Sequence, residues 1–361
     1  MKAQRLKRVA LDAGAAGVGI CSVEPFDETA ASLRQRRDTG RAAGLGFTFS
    51  RPDISTAVQT SFTWARSLVV VAHSYVPQAG HPGAADPGYG RVARFAATDQ
   101  YLPLQTVLQR VAAELTSGGF AAELLVDDSR LVDRAAAVRA GVGWWGKNTM
   151  VLVPGTGPWV LLGSVVTDAV IDVDEPMRRD CGTCSACLPA CPTGALVEPG
   201  VLDARLCLAY WMQAPGAIPR ELRPLMGNRV YGCDDCLEAC PPGGRSLRSS
   251  HAIRGRVDLV TLLSVDDATI IRRFGHHYIP SRNPRYVRRN ALVALGNSGG
   301  HHAEETAIAY LGHPDPLLRL HSAWAVGRLG GPFAVAALVA AVADERDEAV
   351  RVEIDKTLLG M

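Results

Sequence analysis

Eight of the nine cysteines in this 361-residue chain lie between Cys181 and Cys240, and Cys21 stands apart. They form the run Cys181-x2-Cys184-x2-Cys187-x3-Cys191-Pro192, the single Cys207, and the run Cys233-x2-Cys236-x3-Cys240-Pro241. The first run has bacterial ferredoxin spacing. Three thiolates wrap one face of a cubane cluster, and the fourth, followed by proline, turns away to a second cluster. The second run is one cysteine short of that pattern, and Cys207 is available to complete it. The assignment that satisfies both puts Cys181, Cys184, Cys187 and Cys240 on one 4Fe–4S cluster. Cys191, Cys207, Cys233 and Cys236 then hold the other. Structural zinc favours two separated Cys-x2-Cys pairs, and two-residue spacings argue against a disulfide framework. Cys21, beside an apolar stretch, reads as a small core residue and not a nucleophile.

A two-cluster ferredoxin is far shorter than this chain, so the remainder must supply what the electrons are for. Composition narrows the classes. With 38 Lys+Arg against 36 Asp+Glu, a net charge of +2 excludes a uniformly basic nucleic-acid coat. Hydrophobic content of 47% with 20% charged residues is that of a folded protein. No run of 18 apolar residues occurs, and the basic start Met1–Arg8 leads into no clean cleavage site. The expected address is therefore the cytoplasm, without a membrane partner, where cysteines stay reduced.

Residues 1–175 read as an α/β domain. Leu6, Val9, Ala10 and Ala13 mark an opening helix, and Gly17–Ile20 a short buried strand. Ser67–Ala72 is a β-branched run suited to a sheet interior. Tyr101–Leu115 has helical spacing, Ala121–Val126 reads as a strand, Leu131–Ala140 as a helix stopped by Gly141, and Trp159–Val166 as a strand. The stretch Gln78–Gly90 is a long loop. No Gly-x-Gly-x-x-Gly appears, so a Rossmann nicotinamide or flavin site lacks its mark. No Asp-x-His-x-x-Gly run offers an axial imidazole to a corrinoid. Residues 176–245 form the cysteine-rich segment, and residues 246–361 turn to short amphipathic helices.

That last region repeats. Val287-Arg288-Arg289-Asn290-Ala291-Leu292-Val293-Ala294-Leu295-Gly296 returns as Leu318–Gly327 and, more weakly, as Val350–Gly360. The period suits paired-helix HEAT-like repeats, whose stacked surface binds a large partner, the alternative being a plain helical cap. Charge favours the binding surface. Between Arg245 and Asn290 stand ten arginines (245, 248, 254, 256, 272, 273, 282, 285, 288 and 289) against Asp258, Asp266 and Asp267. His276, His277, Tyr278 and Tyr286 are interleaved, as where phosphates are gripped and bases stacked. A solvated helix face is the other reading. Candidate RNA contacts are Arg272, Arg273, Arg282, Arg285, Arg288 and Arg289.

Several strings carry a resemblance: Val126-Asp127…Asp133-Arg134-Ala135, Ala140-Gly141-Val142-Gly143-Trp144-Trp145-Gly146-Lys147-Asn148, the first cysteine run, and Arg223–Cys236 with its Met226-Gly227-Asn228-Arg229-Val230-Tyr231-Gly232-Cys233 core. Through these, and over most of its length, the chain resembles the cobalamin-dependent epoxyqueuosine reductases of tRNA modification. The resemblance implies an α/β catalytic domain holding cobalamin without a protein axial ligand, a bacterial-ferredoxin-like module with two 4Fe–4S clusters, and an all-α HEAT-like tRNA-binding domain. It implies reduction of the epoxide of epoxyqueuosine at the tRNA wobble position, with electrons passing through the clusters to cobalt. A low-potential electron donor and a monomeric state are expected.

Carried over residue by residue, the acid that protonates the departing epoxide oxygen is Asp127. A carboxyl screened from water has a raised pKa suited to that role, although a strand-end helix cap is the plainer reading of the same residue. Arg134, Lys147 and Asn148 are candidate cobalamin contacts. Arg134 reads equally as a surface helix residue, and Asn148 as a turn residue. The chain departs from the family at Ser55-Thr56-Ala57, at Gln100-Tyr101-Leu102 and at Ser129. Two other readings stay open: a related cobalamin/iron–sulfur reductase of a small molecule, as the reductive dehalogenases are, and a non-catalytic iron–sulfur carrier. The helical tail argues against the first, and Asp127 with Trp144–Asn148 against the second.

Overall fold

A computed structural model describes residues 2–76, 86–247 and 255–361. The chain divides into two compact units. The first comprises residues 1–79, 98–205 and 235–250, and the second residues 80–97, 206–234 and 251–361.

The first unit is built on a four-stranded sheet in the order Gly17–Ser22, Ser67–Ser74, Val160–Thr167, Ala122–Val126, with every neighbouring pair antiparallel. The strand Ser67–Ser74 shows why so apolar a run is needed. Val69 and Val71 pack toward Leu6, Leu104, Leu108 and Val111 of the helices Ala3–Asp12 and Tyr101–Ser117. Leu68, Val70 and Ala72 face a second core with Ala136 of the helix Asp133–Arg139 and Val151. Side chains alternate across a strand, so covering both faces requires apolar residues at consecutive positions. The expected strands and helices of this region are all present, and the sheet is wholly antiparallel. Cys21 is 1% exposed beside the Ala136 carbonyl, and burial pushes its thiol up to about 12, so it is a core residue.

In the second unit, Tyr89–Val92 pairs parallel with Arg229–Tyr231 and antiparallel with Arg256–Asp258. The expected loop Gln78–Gly90 thus ends in a strand, while its residues up to 85 lie outside the described ones, as do Arg248 and Arg254. The three repeated segments are the helices Arg285–Ser298, Pro316–Leu329 and Glu348–Leu359, with Ala303–Ala309 and Ala334–Asp344 between them. The repeated glycine has a packing cause. A Cβ on Gly296 would come within 2.9 Å of Ala325 Cα, and one on Gly327 within 2.0 Å of Thr357 Cγ2, so each glycine lets the next helix approach. Asp315 and Asp347 cap two of these helices by accepting from Leu317 and Val350 backbone N–H groups. Among the described residues, no helix is long and apolar enough to cross a membrane.

Candidate active site

Asp127 ends the strand Ala122–Val126 and takes a left-handed backbone conformation, φ 49°. A β-branched residue is strained there, and Asp and Asn are among the few non-glycine residues that accept it. The turn brings its carboxyl to a cavity of about 380 Å3 within the first unit. Apolar side chains such as Leu45, Phe47, Phe49 and Leu131 line the cavity, and Tyr101, Asp133 and Arg134 join Asp127 as its ionisable groups.

These four groups are electrostatically tied. Loss of solvent raises the Asp127 carboxyl above the usual range, while the Tyr101 hydroxyl, which donates to it, and Arg134 pull it back. Asp133 is raised further, first by burial and then by the Asp127 charge. Its Oδ1 is buried without a hydrogen-bond partner. Burial and the nearby carboxylates raise the Tyr101 phenol in turn. Arg134 is exposed, with its side chain open to the cavity, so it is part of a pocket wall and not of a core. Two carboxyls with displaced pKa values, a phenol and a guanidinium can hold, donate and stabilise a proton at one spot.

The loop after Asp127 is braced. The Ser55 hydroxyl donates to the Ser129 carbonyl at 2.5 Å, and the Val132 backbone N–H donates to the Ser55 carbonyl at 3.0 Å. Two of the three departures from the family pattern therefore touch each other and support the Asp127 loop. The third contains Tyr101, the direct partner of Asp127.

Lys147 and Asn148 do not line this cavity. The Lys147 ammonium donates to the Gly182 carbonyl at 2.7 Å, between Cys181 and Cys184. Asn148 is buried, donates to the Cys236 carbonyl at 3.4 Å and accepts from Met150 N. Both residues bind the cysteine segment to the pocket wall, a connection invisible in their sequence neighbourhood.

The thiols of Cys181, Cys184, Cys187 and Cys240 share one electrostatic neighbourhood. Burial raises Cys187 and Cys240, Cys181 and Cys184 add to the rise at both, and Cys187 adds to it at Cys240. Lys147 opposes it at Cys187. Cys184 is the exposed member. Among the described residues no three His, Cys, Asp or Glu side chains converge closely enough for a single metal ion. A 4Fe–4S cubane takes one thiolate on each of four irons. Of the second expected quartet, Cys191 accepts from the Ala195 N–H at 3.2 Å, Cys207 precedes the helix Leu208–Gln213, Cys233 packs on the apolar core of the second unit, and Cys236 lies within electrostatic reach of Arg134.

The arginines separate into two classes. Arg272, Arg273 and Arg282 are exposed, as is Tyr278, and Arg285 is half-buried against Tyr286 and Asp315. Arg288 and Arg289 depart from expectation. Arg288 is buried, donating to the Val265 carbonyl and pairing with Asp267. Arg289 is 0% exposed, and its guanidinium donates to the carbonyls of Trp211, Met212, Ala214 and Gly216 and to Asn290. A residue so enclosed is unavailable to a phosphate. The same correction holds for His277, stacked on Tyr231 with ring centroids 4.8 Å apart, and for Tyr286.

Residues 180–243 match the 4Fe-4S double cluster binding domain family, and residues 279–355 match HEAT repeats. The chain is 32% identical to an epoxyqueuosine reductase of Bacillus anthracis over 94% of this chain and 92% of that one. It is 32% identical to the Escherichia coli epoxyqueuosine reductase over 90% and 89%. A crystal structure of epoxyqueuosine reductase with an epoxyqueuosine-modified tRNA-Tyr stem loop superposes with a TM-score of 0.90 at 29% identity, over 99% of this chain and 97% of that one. A Bacillus subtilis epoxyqueuosine reductase with its catalytic aspartate loop swung out of the active site superposes with a TM-score of 0.89 at 29% identity, over 99% and 98%.

Proposed function

Since the chain belongs to the epoxyqueuosine reductase family and is thereby an oxidoreductase with a double 4Fe–4S segment, we propose that it reduces the epoxide of epoxyqueuosine in tRNA to queuosine, with Asp127 as proton donor. Residues 1–175 carry the chemistry, residues 176–245 the two clusters, and residues 246–361 hold the tRNA. The reading places the protein in the cytoplasm with its RNA. The observation that carries it is the meeting of Asp127, Tyr101, Asp133 and Arg134 at one cavity, with Asp127 poised by a left-handed backbone. A relative's catalytic aspartate loop that swings out of its active site supports assigning the same role to this loop.

Cobalamin fits the wall on chemical grounds. The orphaned Asp133 Oδ1 is an acceptor for a donor such as a corrin side-chain amide, and Arg134 is a donor for its carbonyls or phosphate. Among the described lining residues there is no histidine to ligate cobalt. When bound, cobalamin would supply a strong reductant, and the clusters held by Cys181, Cys184, Cys187 and Cys240 and by Cys191, Cys207, Cys233 and Cys236 would refill it one electron at a time. The protein's own task is proton management. An epoxide oxygen leaves as an alkoxide unless a placed acid protonates it, and Asp127, kept protonated to higher pH than an exposed carboxyl, gives that proton. Tyr101 holds the carboxyl in place through its hydroxyl, and Arg134 stabilises the carboxylate left behind. Phe49 and Leu131 give the cavity an apolar lining beside the acid. Arg272, Arg273 and Arg282, with Tyr278, provide exposed charge and one ring for RNA.

Anaerobic purification tests the whole reading. About eight irons per chain, a corrinoid absorption shift on adding cobalamin, and conversion of epoxyqueuosine in tRNA are expected. Absence of both corrinoid binding and conversion would overturn it.

A further inference from the structure

The first unit carries a second, larger hollow, of about 720 Å3, that the proposed chemistry leaves unused. Arg178, Arg179 and Arg245 converge on it. All three are exposed, and none has an ion pair or hydrogen bond among the described residues. Arg179 lies over the Trp144 ring, 5.6 Å from its centroid. One acid, Asp180, also borders the hollow, and its Oδ1 is engaged by the Gly182 backbone N–H at 2.7 Å. Three unpaired guanidiniums against one carboxylate make a concave patch of positive potential.

Its frame gives the patch meaning. Asp180 immediately precedes Cys181, and Pro242 and Arg245 follow Cys240, so the two segments that bring the arginines to the hollow lead to cysteines of the first quartet. Within that quartet Cys184 is the exposed thiol. Electron transfer weakens steeply with distance, so whatever fills this cluster must dock beside it. A patch of like charge at that spot selects the carrier by sign and speeds its encounter.

We propose that Arg178, Arg179 and Arg245 form the docking site of an acidic low-potential electron-carrier protein, which delivers electrons to the cluster held by Cys181, Cys184, Cys187 and Cys240. The inference rests on the cluster assignment of the preceding section. Each encounter moves one electron: the carrier's reduced centre is oxidised, the 2+ cubane becomes 1+, and no bond or proton moves. RNA phosphate is the competing occupant of so basic a surface. The position beside the cysteines, and the exposed Arg272, Arg273 and Arg282 available elsewhere for RNA, favour the carrier.

The test compares cluster reduction in the holoenzyme by a photoreduced acidic one-cluster ferredoxin with reduction by photoreduced 5-deazariboflavin, small and uncharged. The variants are Arg178→Gln/Arg179→Gln/Arg245→Gln and the corresponding triple Glu variant. Iron content and the electron paramagnetic resonance signal of the reduced clusters are read on every sample. At low salt the ferredoxin rate constant should fall about tenfold in the Gln variant and on the order of a hundredfold in the Glu variant, with the gap closing at high salt. Reduction by the deazaflavin should not change. Iron-loaded variants that accept electrons from ferredoxin as fast as the parent would overturn the docking site. Loss of tRNA affinity with unchanged ferredoxin kinetics would reassign the patch to RNA. Wild-type protein lacking iron after anaerobic purification would instead sink the cluster assignment itself.

Discussion

Arg134, open to its cavity, and Arg289, sealed in a core, are treated by the molecule in opposite ways. Arg289 donates to four backbone carbonyls and to Asn290, whose own Nδ2 donates to the carbonyls of Met212 and Val230. Every donor has an acceptor, so the charge is inert and ties the segment 211–216 to the helix Arg285–Ser298. Arg134 has one long contact to the Thr149 carbonyl, 3.4 Å, and stands beside two carboxyls that share too few donors, one of them with an orphaned oxygen. A fully satisfied buried charge organises structure, whereas an under-satisfied group keeps its free energy for a ligand or a proton.

Breaking each side should fail differently. The largest expected effect is on Asp127→Asn, which keeps the left-handed backbone and the volume but loses the proton. Conversion of epoxyqueuosine should fall by on the order of 10²–10⁴, with iron content, corrinoid binding and the unfolding midpoint unchanged. Normal turnover would remove the acid role. Arg289→Met should do the reverse. Unfolding free energy, read from a denaturant midpoint, should drop by about 3–5 kcal/mol, because several buried carbonyls lose their donor. Turnover per folded, iron-loaded molecule should persist.

Two smaller effects sharpen the contrast through pH. The Tyr101 hydrogen bond stabilises the ionised form of Asp127, so Tyr101→Phe should raise that pKa further. A rate that needs protonated Asp127 falls as pH rises through its pKa, so the alkaline limb should move to higher pH in the variant. A limb that stays fixed or moves down would separate Tyr101 from Asp127. On the structural side, His321 is buried, donates through Nδ1 to the Leu317 carbonyl and accepts the Ile218 N–H at Nε2. Burial holds its pKa well below the ordinary 6.5. His277 is depressed to about 3, chiefly by burial. Unfolding lets both rings take up protons, so stability is complete above pH 6.5 and falls below it, by about 1.4 kcal/mol per pH unit for each ring. A stability profile flat from pH 7 to pH 5, or one unchanged by His321→Gln, would contradict this.

The site was readable in sequence where chemistry imposes spacing. Cys-x2-Cys-x2-Cys-x3-Cys-Pro dictates cluster geometry, and the Leu292–Gly296 segment returns at Ala323–Gly327 because helix after helix must pack the same way. Residues whose role depends on orientation were not readable. Arg288, Arg289 and Asn290 belong to a helix buried from Tyr286 to Gly296, and the unbroken Ala291-Leu292-Val293-Ala294-Leu295 was the available sign that no polar face exists there. Lys147 and Asn148 were candidate cobalamin contacts through the resemblance, and only the tertiary structure turns them to Gly182 and Cys236. Tyr101 and Asp133 complete the polar cluster from helix starts, and their meeting with Asp127 depends on how those helices pack and not on spacing.

The positive φ of Asp127 sets a limit on what substitution can explore. A residue that must rest in the left-handed region is drawn cheaply from glycine, asparagine and aspartate. Of these three only aspartate carries an exchangeable acid proton. Glutamate, the obvious chemical substitute, brings a longer side chain and a backbone cost together. A lineage that loses this aspartate can keep the fold by the two inexpensive routes, and both abandon the acid.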